Sequence, residues 1–256
     1  MKIAAQMYSV RNFIAENGYG TALKSLAEIG FSSVEHACGF GEFDGKPAEL
    51  RKFMDDLGIT MMGTHLGAQL VFDPAQRTQT AELYATLGAK YLICPVDGLF
   101  YDCDGCAEFA EKSAEAAEFL KSYGMFFGYH CHMYEFLIHP QSGKTYWDFF
   151  AESTPDTVVL EQDCGWSCMA GQDPAALIRK YPNRNQALHF KPSIRPSHRD
   201  KKVFLGEDSV NWQEVIAAAR EAGSTEYCVI EQERYATGMS DMQTIAVSFE
   251  NLRKML

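Results

Sequence analysis

One phrase recurs along the chain: the end of an amphipathic helix, then a glycine, then a run of strand-forming residues. The glycines of this phrase are Gly30, Gly58, Gly88, Gly124 and Gly223. Glycine suits the left-handed position that ends many helices, and β-branched and aromatic residues favour the strand that follows. An opening strand over 3–10 and two apolar runs that begin at Val158 and Ala187 bring the total to eight predicted strands.

The predicted strands are nearly continuous apolar runs, which are typical of a parallel sheet covered on both faces. A length of 256 residues is usual for an eightfold α/β barrel. Since no linker or low-complexity segment divides the chain, we expect residues 1–256 to form a single (β/α)8 TIM barrel domain. Periodicity alone leaves an open doubly wound sheet as an alternative, but no G-x-G-x-x-G follows the first strand, which disfavours dinucleotide binding.

Between the apolar runs that begin at Val158 and Ala187 lies a helical pattern over 173–182. Asp173 is expected as its N-cap and Pro174 at its first helical position. The apolar run before this helix stops in Glu161 and Asp163, and the run after it stops in His189 and Lys191. A strand-helix-strand unit with polar residues only at the strand ends is typical of a site.

The composition of the chain limits the classes of partner that it can bind. The formal net charge is −11 with 23 basic residues, which argues against a nucleic-acid partner. No apolar run approaches the roughly 20 residues that span a bilayer, and no signal peptide is recognisable, so we expect a cytoplasmic protein that does not bind membranes. The eight cysteines are scattered, and we expect them to be reduced; Cys103 and Cys106 form a lone C-x-x-C, which predicts a structural role. A homo-oligomer is compatible with the sequence, which shows no interface signature.

Polar residues gather where the predicted strands end, and five of the seven histidines are among them. In a TIM barrel the carboxyl ends of the strands carry the chemistry. These residues are Gln6, Tyr8, Glu35, His36, His65, His130, His132, Glu135, Glu161, Asp163, His189, Lys191, Glu231 and Glu233.

Four short motifs follow one another on successive strands: YHCHMYEF, LEQDCGW, LHFK and VIEQE. Together they resemble the xylose isomerase-like TIM barrel family, and more narrowly its sugar phosphate isomerases/epimerases. The resemblance covers essentially the whole chain, including the opening A-x-Q-x-Y-S. It implies one divalent metal ion bound by Glu135, Asp163, His189 and Glu231. The chain departs from the family pattern at Pro192 and Glu233, where relatives often carry Asp.

Three carboxylates and one imidazole make an oxygen-rich site, which suits Mn²⁺ best, with Mg²⁺, Co²⁺ or Zn²⁺ as alternatives. Such an ion polarises a sugar carbonyl. We expect Glu135, Glu231, His130 or His132 to move the proton on the adjacent carbon, and Lys191 to stabilise an oxyanion. The residues expected to bind the substrate are Gln6, Tyr8, Glu35, His65, Trp166 and Arg195.

Two points within this site stay open. Glu135 lies three residues beyond His132 and could fall in a loop, which would leave His130 or His132 closer to the metal. Of the two carboxylates on the sixth strand, we expect Asp163 to point into the barrel and Glu161 to point outward.

The function most consistent with these residues is a metal-dependent isomerase or epimerase that moves a proton next to the carbonyl of a monosaccharide, keto-sugar or polyol derivative. A lyase, dehydratase or keto-glycoside-cleaving enzyme needs the same metal and base, so the sequence does not separate it. An apurinic endonuclease-like enzyme uses several zinc ions and binds DNA, which the negative charge and the single ligand set disfavour. A non-catalytic sugar-binding barrel is the remaining alternative. The substrate's identity and the oligomeric state are not determined by the sequence.

Overall fold

Eight parallel strands close a barrel in chain order, which confirms the predicted (β/α)8 fold. The computed structural model describes residues 1–193, 203–235 and 238–256. The strands are β1 (Lys2–Gln6), β2 (Ser33–His36), β3 (Thr60–His65), β4 (Tyr91–Cys94), β5 (Phe126–His130), β6 (Val159–Asp163), β7 (Ala187–Phe190) and β8 (Tyr227–Ile230). Each strand pairs in parallel with the next, and β1 pairs with β8.

Helices lie between the strands and on the outside of the barrel. Within the described residues they are α1 (Arg11–Asn17), α2 (Tyr19–Ile29), α3 (Pro47–Leu57), α4 (Gln69–Phe72), α5 (Arg77–Leu87), α6 (Gly105–Lys121), α7 (Tyr146–Ser153), α8 (Cys164–Met169), α9 (Pro174–Lys180), α10 (Trp212–Ala222) and α11 (Asp241–Met255). In the described part of the chain, no helix has both the length and the apolar character that crossing a membrane requires.

The helix ends follow the sequence pattern. Gly30, Gly58, Gly88 and Gly223 adopt left-handed conformations with φ of 117°, 69°, 79° and 73° at the C-terminal ends of α2, α3, α5 and α10. Asp173 caps α9 as predicted, and its carboxylate accepts hydrogen bonds from the N–H groups of Ala175 at 2.9 Å and Ala176 at 3.3 Å.

The first strand is shorter than predicted. It ends at Gln6, and Met7–Val10 forms a 3₁₀ turn instead of more strand. The Gln6 side chain causes this change, because its Oε1 accepts a hydrogen bond from the N–H of Tyr8 at 3.2 Å and caps the turn.

Two apolar clusters hold the fold. The larger cluster lies between the strands and the helices. The smaller one joins side chains from strands all around the sheet, so it fills the barrel interior; its buried members are Ala4, Met62, Tyr91, Ile93, Val159, Ala187, Tyr227 and Val229. On the inward face of β6, β7 and β8 these residues precede the polar side chains at the carboxyl ends of the strands.

Candidate functional site

The inward face of the strands changes from apolar to polar on going toward their carboxyl ends. Side chains two residues apart on a strand face the same way. Val159 points inward, and so Glu161 and Asp163 follow it into the barrel. In the same way Ala187 is followed by His189 and Lys191, and Val229 by Glu231 and Glu233. One pattern of alternation thus builds the polar site on top of the apolar core.

The expectation that Glu161 points outward is wrong. Its carboxylate is fully buried and lies 2.7 Å from Nε2 of His65 and 3.1 Å from Nδ1 of His130. The physical reason is the strand period of two, which places Glu161 and Asp163 on one face and Gln162 on the other. Gln162 indeed turns away from the site and donates a hydrogen bond to the carbonyl of Pro174 at 3.0 Å.

The lower layer of the site is a network of carboxylates and imidazoles. Glu35 Oε2 lies 2.8 Å from Nε2 of His189 and 3.4 Å from Nε2 of His65, and it accepts a hydrogen bond from the Gln6 amide at 2.6 Å. Glu161 Oε2 lies 3.3 Å from Nε2 of His189. The network joins residues from β1, β2, β3, β6 and β7, so only the closed barrel brings it together.

The upper layer lies nearer the mouth of the barrel. His189 Nδ1 lies 2.8 Å from Glu231 Oε2, and His130 Nε2 lies 3.9 Å from Asp163 Oδ2. The ammonium group of Lys191 is 2.6 Å from Glu233 Oε1, 3.4 Å from Glu231 Oε1 and 3.9 Å from Asp163 Oδ2. A buried cation therefore lies beside three carboxylates.

Two sets of four residues place their donor atoms within 4.8 Å of one another. The inner group consists of His65, His130, Glu161 and His189, and the outer group of His130, Asp163, His189 and Glu231. His130 and His189 belong to both sets, because one nitrogen of each ring faces Glu161 and the other faces Asp163 or Glu231.

Glu135 lies outside both groups. The chain turns after His130, and Glu135 falls in a 3₁₀ turn, Tyr134–Phe136, where its buried carboxylate accepts hydrogen bonds from the hydroxyls of Tyr101 at 2.5 Å and Tyr129 at 3.2 Å. It also accepts from the N–H of His132 at 2.9 Å. Through these contacts Glu135 stabilises the loop after β5. The residue that β5 contributes to the outer group is His130.

The partners of Glu135 are residues that the sequence reasoning missed. Tyr101 comes from the segment after β4, and Tyr129 points away from the barrel interior on β5. An acidic residue in an otherwise apolar turn is the one signal that indicates a need for such donors.

The remaining predicted substrate residues are distributed unevenly. His132 and Trp166 lie at the mouth, with ring centroids 5.7 Å apart, and Lys191 Nζ lies 4.6 Å from the centroid of the Trp166 ring. Tyr8 is half exposed and packs its ring against the Arg11 guanidinium at 4.2 Å. Arg195 lies outside the described residues.

Burial and neighbouring charge give the upper layer unusual proton affinities. Burial lowers the pKa of His130 well below its ordinary value, and His189 lowers it further. Burial also raises the pKa of Asp163 to about 7; Lys191 opposes this shift and Glu231 adds to it. Metals bind the neutral imidazole, which His130 already is and which His189, whose pKa is raised, becomes by releasing a proton.

Elsewhere in the site, ion pairing outweighs burial. Burial opposes ionisation of His189, but Glu161 and Glu35 raise its pKa well above the ordinary value. Burial also opposes ionisation of Glu231, but Lys191 and His189 hold its pKa well below the ordinary value. Burial opposes ionisation of Lys191 as well, but Glu231, Asp163 and Glu233 raise its pKa, so Lys191 stays protonated.

The donor set fits a divalent metal ion. Asp163 Oδ1 accepts the backbone N–H of Trp166 at 2.8 Å, while its Oδ2 is buried without a hydrogen-bond partner in the described residues. Glu35 Oε1 and Glu161 Oε1 are likewise buried without a hydrogen-bond partner in the described residues. Buried carboxylate oxygens without hydrogen bonds are costly unless a cation or proton compensates them, and imidazole with carboxylate suits Mn²⁺ and its neighbours.

Known proteins resemble the chain in sequence over most of its length. A sequence profile described as xylose isomerase-like TIM barrel matches residues 23–255. An inosose dehydratase of Lacticaseibacillus casei is 22% identical over 248 residues, which cover 83% of this chain and 81% of that protein.

Solved structures extend the resemblance to the fold. A sugar phosphate isomerase/epimerase from Parabacteroides distasonis superposes with a TM-score of 0.81 at 23% identity, covering 99% of this chain and 98% of that one. An L-ribulose 3-epimerase superposes with a TM-score of 0.74 at 16% identity, covering 100% of this chain and 95% of that one. Closed barrel, polar strand ends and matched profile agree: the chain belongs to the xylose isomerase-like TIM barrel family.

Proposed function

We propose that this protein is a divalent-metal-dependent enzyme that moves a proton next to the carbonyl of a sugar, keto-sugar or polyol derivative, as an isomerase or epimerase does. The observation that carries the proposal is the outer group, four buried metal-binding side chains beside the buried ammonium group of Lys191. A site with a cation-binding set and a fixed positive charge suits a reaction that develops negative charge on oxygen.

The metal is assigned to the outer group, His130, Asp163, His189 and Glu231. This group contains two carboxylates, whereas the inner group contains one, and oxygen ligands favour Mn²⁺ or Mg²⁺ over softer ions. A bound divalent ion supplies Lewis-acid polarisation of the substrate carbonyl. Glu35 and Glu161 support the site from below, because they accept hydrogen bonds from the ring nitrogens that face away from the outer group.

The chain's own residues supply the rest of the chemistry. Lys191 is held protonated between Glu231 and Glu233, and it stabilises an oxyanion that develops at the mouth of the site. His132 is the candidate for proton transfer, because its side chain is 30% exposed and lies between His130 and Trp166 at the opening.

Elimination is the second candidate function. It is favoured by one specific finding, the likeness of the chain to a protein named inosose dehydratase. Both reactions begin with removal of a proton next to a carbonyl. They differ in whether a proton returns to that carbon or a leaving group departs from the neighbouring one.

Metal analysis tests the proposal. We expect the purified protein, reconstituted with Mn²⁺, to retain one ion per chain. Asp163→Ala and His189→Ala should each lose that ion with an unchanged circular dichroism spectrum, whereas Glu226→Gln, at an exposed carboxylate paired with Lys90, should keep it. Retention of the ion by both site variants would show that the outer group is not the metal site.

Isotope exchange separates the two reactions. Ketoses incubated with the Mn²⁺ protein in D₂O should gain deuterium next to the carbonyl and, for epimerisation, form the epimer without loss of water. Appearance of a dehydrated product instead would establish elimination. Neither exchange nor product with any of a broad panel of keto-sugars and inososes would refute the enzymatic proposal.

A further inference from the structure

A cavity of about 510 Å³ opens beside the outer group. Its walls come from the segments that follow β4, β5, β6 and β8. The lining residues are Pro95, Val96, Tyr101, His132, Met133, Tyr134, Trp166, Met169 and Arg234. This volume lies within the range of pockets that enclose a whole small-molecule ligand.

The cavity is continuous with the polar site. Trp166 lines the cavity, and its ring also lies 4.6 Å from Lys191 Nζ. His132 lines it too, and its ring centroid is 4.8 Å from that of His130 in the outer group. A molecule whose reacting carbon lies at the outer group therefore has its remaining part directed into the cavity.

The walls are mainly apolar, and their polar groups come from Tyr101, His132, Tyr134, Trp166 and Arg234. Sugar hydroxyls that leave water need hydrogen-bond partners, and a buried hydroxyl without one is costly. Pro95, Val96, Met133 and Met169 offer none from their side chains. The Tyr101 hydroxyl is already bonded to Glu135 at 2.5 Å. Most of the cavity thus suits an apolar group.

The apolar character continues to the rim. Val96 is 57% exposed and Tyr134 is 56% exposed, although both are large apolar side chains beside an opening. Exposed apolar surface grouped at one opening is typical of a binding site. Tyr134, Trp166 and the two methionines are side chains that pack well against a planar ring.

We propose that this cavity is a binding site for an apolar, ring-bearing group attached to the sugar, so that the substrate is a glycoside or similar conjugate and not a free monosaccharide. The placement of the sugar part rests on the proposed function. The apolar part of the substrate rests on the cavity alone.

Binding of two matched probes tests the proposal: phenyl β-D-glucoside and methyl β-D-glucoside. In titration calorimetry on the Mn²⁺ protein and on the metal-free protein, the phenyl glucoside should bind at least 10-fold more tightly than the methyl glucoside. Met133→Asp should abolish this preference. Tyr134→Asp, at an exposed position that leaves folding undisturbed, should reduce it at least 3-fold.

Leu137→Asp is the matched control. Leu137 is an exposed apolar residue of the same loop, 58% exposed, but it does not line the cavity. This variant should keep the full preference for the phenyl probe.

Equal binding of the phenyl and methyl probes would overturn the proposal. It would also be overturned if a second copy of the chain fills the cavity, which light scattering would show as a dimer that Tyr134→Asp dissociates and the phenyl probe does not. Because the preference is measured without metal as well, it is independent of the proposed reaction. A protein that keeps the preference but binds no metal would refute the proposed function alone.

Discussion

Glu161 provides the sharpest test of how the site is organised, because the two possible metal groups assign it different roles. In the inner group Glu161 is itself a ligand, whereas with the metal in the outer group it only accepts hydrogen bonds from the histidines. Glu161→Gln keeps the size of the side chain and removes its charge. Its contacts are 2.7 Å to His65 Nε2, 3.1 Å to His130 Nδ1 and 3.3 Å to His189 Nε2.

The size of the effect follows from these contacts. A hydrogen bond to a charged acceptor contributes about 1.5–3 kcal/mol and a neutral one about 1 kcal/mol. Among the outer-group ligands, His130 loses its charged acceptor, whereas His189 keeps a second one, Glu35, at 2.8 Å. The difference for His130 is about 0.5–2 kcal/mol, so we expect Glu161→Gln to weaken metal binding about 2- to 30-fold, with one ion still bound at saturation.

The measurement is competition for Mn²⁺ against a chelating fluorophore of known affinity. Asp163→Asn is the matched variant, since it removes one charge from the outer group and should abolish binding. The reverse result, with binding abolished in Glu161→Gln and only weakened in Asp163→Asn, would refute the assignment and place the ion in the inner group. An unchanged affinity in Glu161→Gln would refute the supporting role of this carboxylate.

Three further predictions concern packing and pH. In Gly165→Ala the new Cβ would lie 2.3 Å from the Lys191 carbonyl oxygen, so the start of α8 must move away from the end of β7. We expect the free energy of unfolding to fall by about 1–3 kcal/mol and Mn²⁺ affinity to fall at least 10-fold. Gly98→Ala, with no atom within 4 Å of the new Cβ, should change neither. The buried Arg184 guanidinium donates hydrogen bonds to the Val158 carbonyl at 2.9 Å and to the Thr154 hydroxyl at 2.7 Å. Arg184→Met should therefore lower the free energy of unfolding, measured in urea, by about 3 kcal/mol. A loss below about 1 kcal/mol would contradict this reasoning. Burial and the charge of His65 lower the pKa of His36 from 6.5 to about 3, so below pH 6.5 the unfolded chain binds a proton that the folded chain refuses. From this group alone, the free energy of unfolding should therefore fall by about 1.6 kcal/mol between pH 6.5 and pH 5. In urea unfolding at the two pH values, His36→Gln should show a loss at acid pH that is smaller by that amount.

Much of the fold is determined by local sequence patterns. The ends of the helices depend on a few neighbouring residues, so the sequence predicts them. Examples are the C-terminal ends at Gly30, Gly58, Gly88 and Gly223 and the N-cap at Asp173. The first strand was predicted four residues too long because the capping bond from the Gln6 side chain competes with extended structure there.

The orientation of Glu161 was also within reach of the sequence. Alternation along β6 places it on the face of Val159 and Asp163, and the error lay in assigning the two carboxylates to opposite faces. The same alternation places His189 on the inward face with Ala187, and Glu231 on the inward face with Val229. Strand periodicity therefore determines which residues enter the barrel.

Only the tertiary structure decides what those residues meet there. The sharing of His130 and His189 between two groups depends on the closed barrel, which places His65 of β3 2.7 Å from Glu161 of β6. Glu135 matches the family motif by position, but it lies in the 3₁₀ turn after β5, where its carboxylate accepts hydrogen bonds from Tyr101 and Tyr129.

The sequence by itself therefore determined the fold class, the helix ends and the set of inward-facing polar residues, since each depends on local geometry that repeats along the chain. The grouping of side chains that could hold a metal ion, the position of Glu135 outside that grouping and the apolar cavity beside Trp166 were decided by contacts between segments far apart in the chain. Local periodicity specifies the direction of a side chain, and only the closed barrel specifies its neighbours.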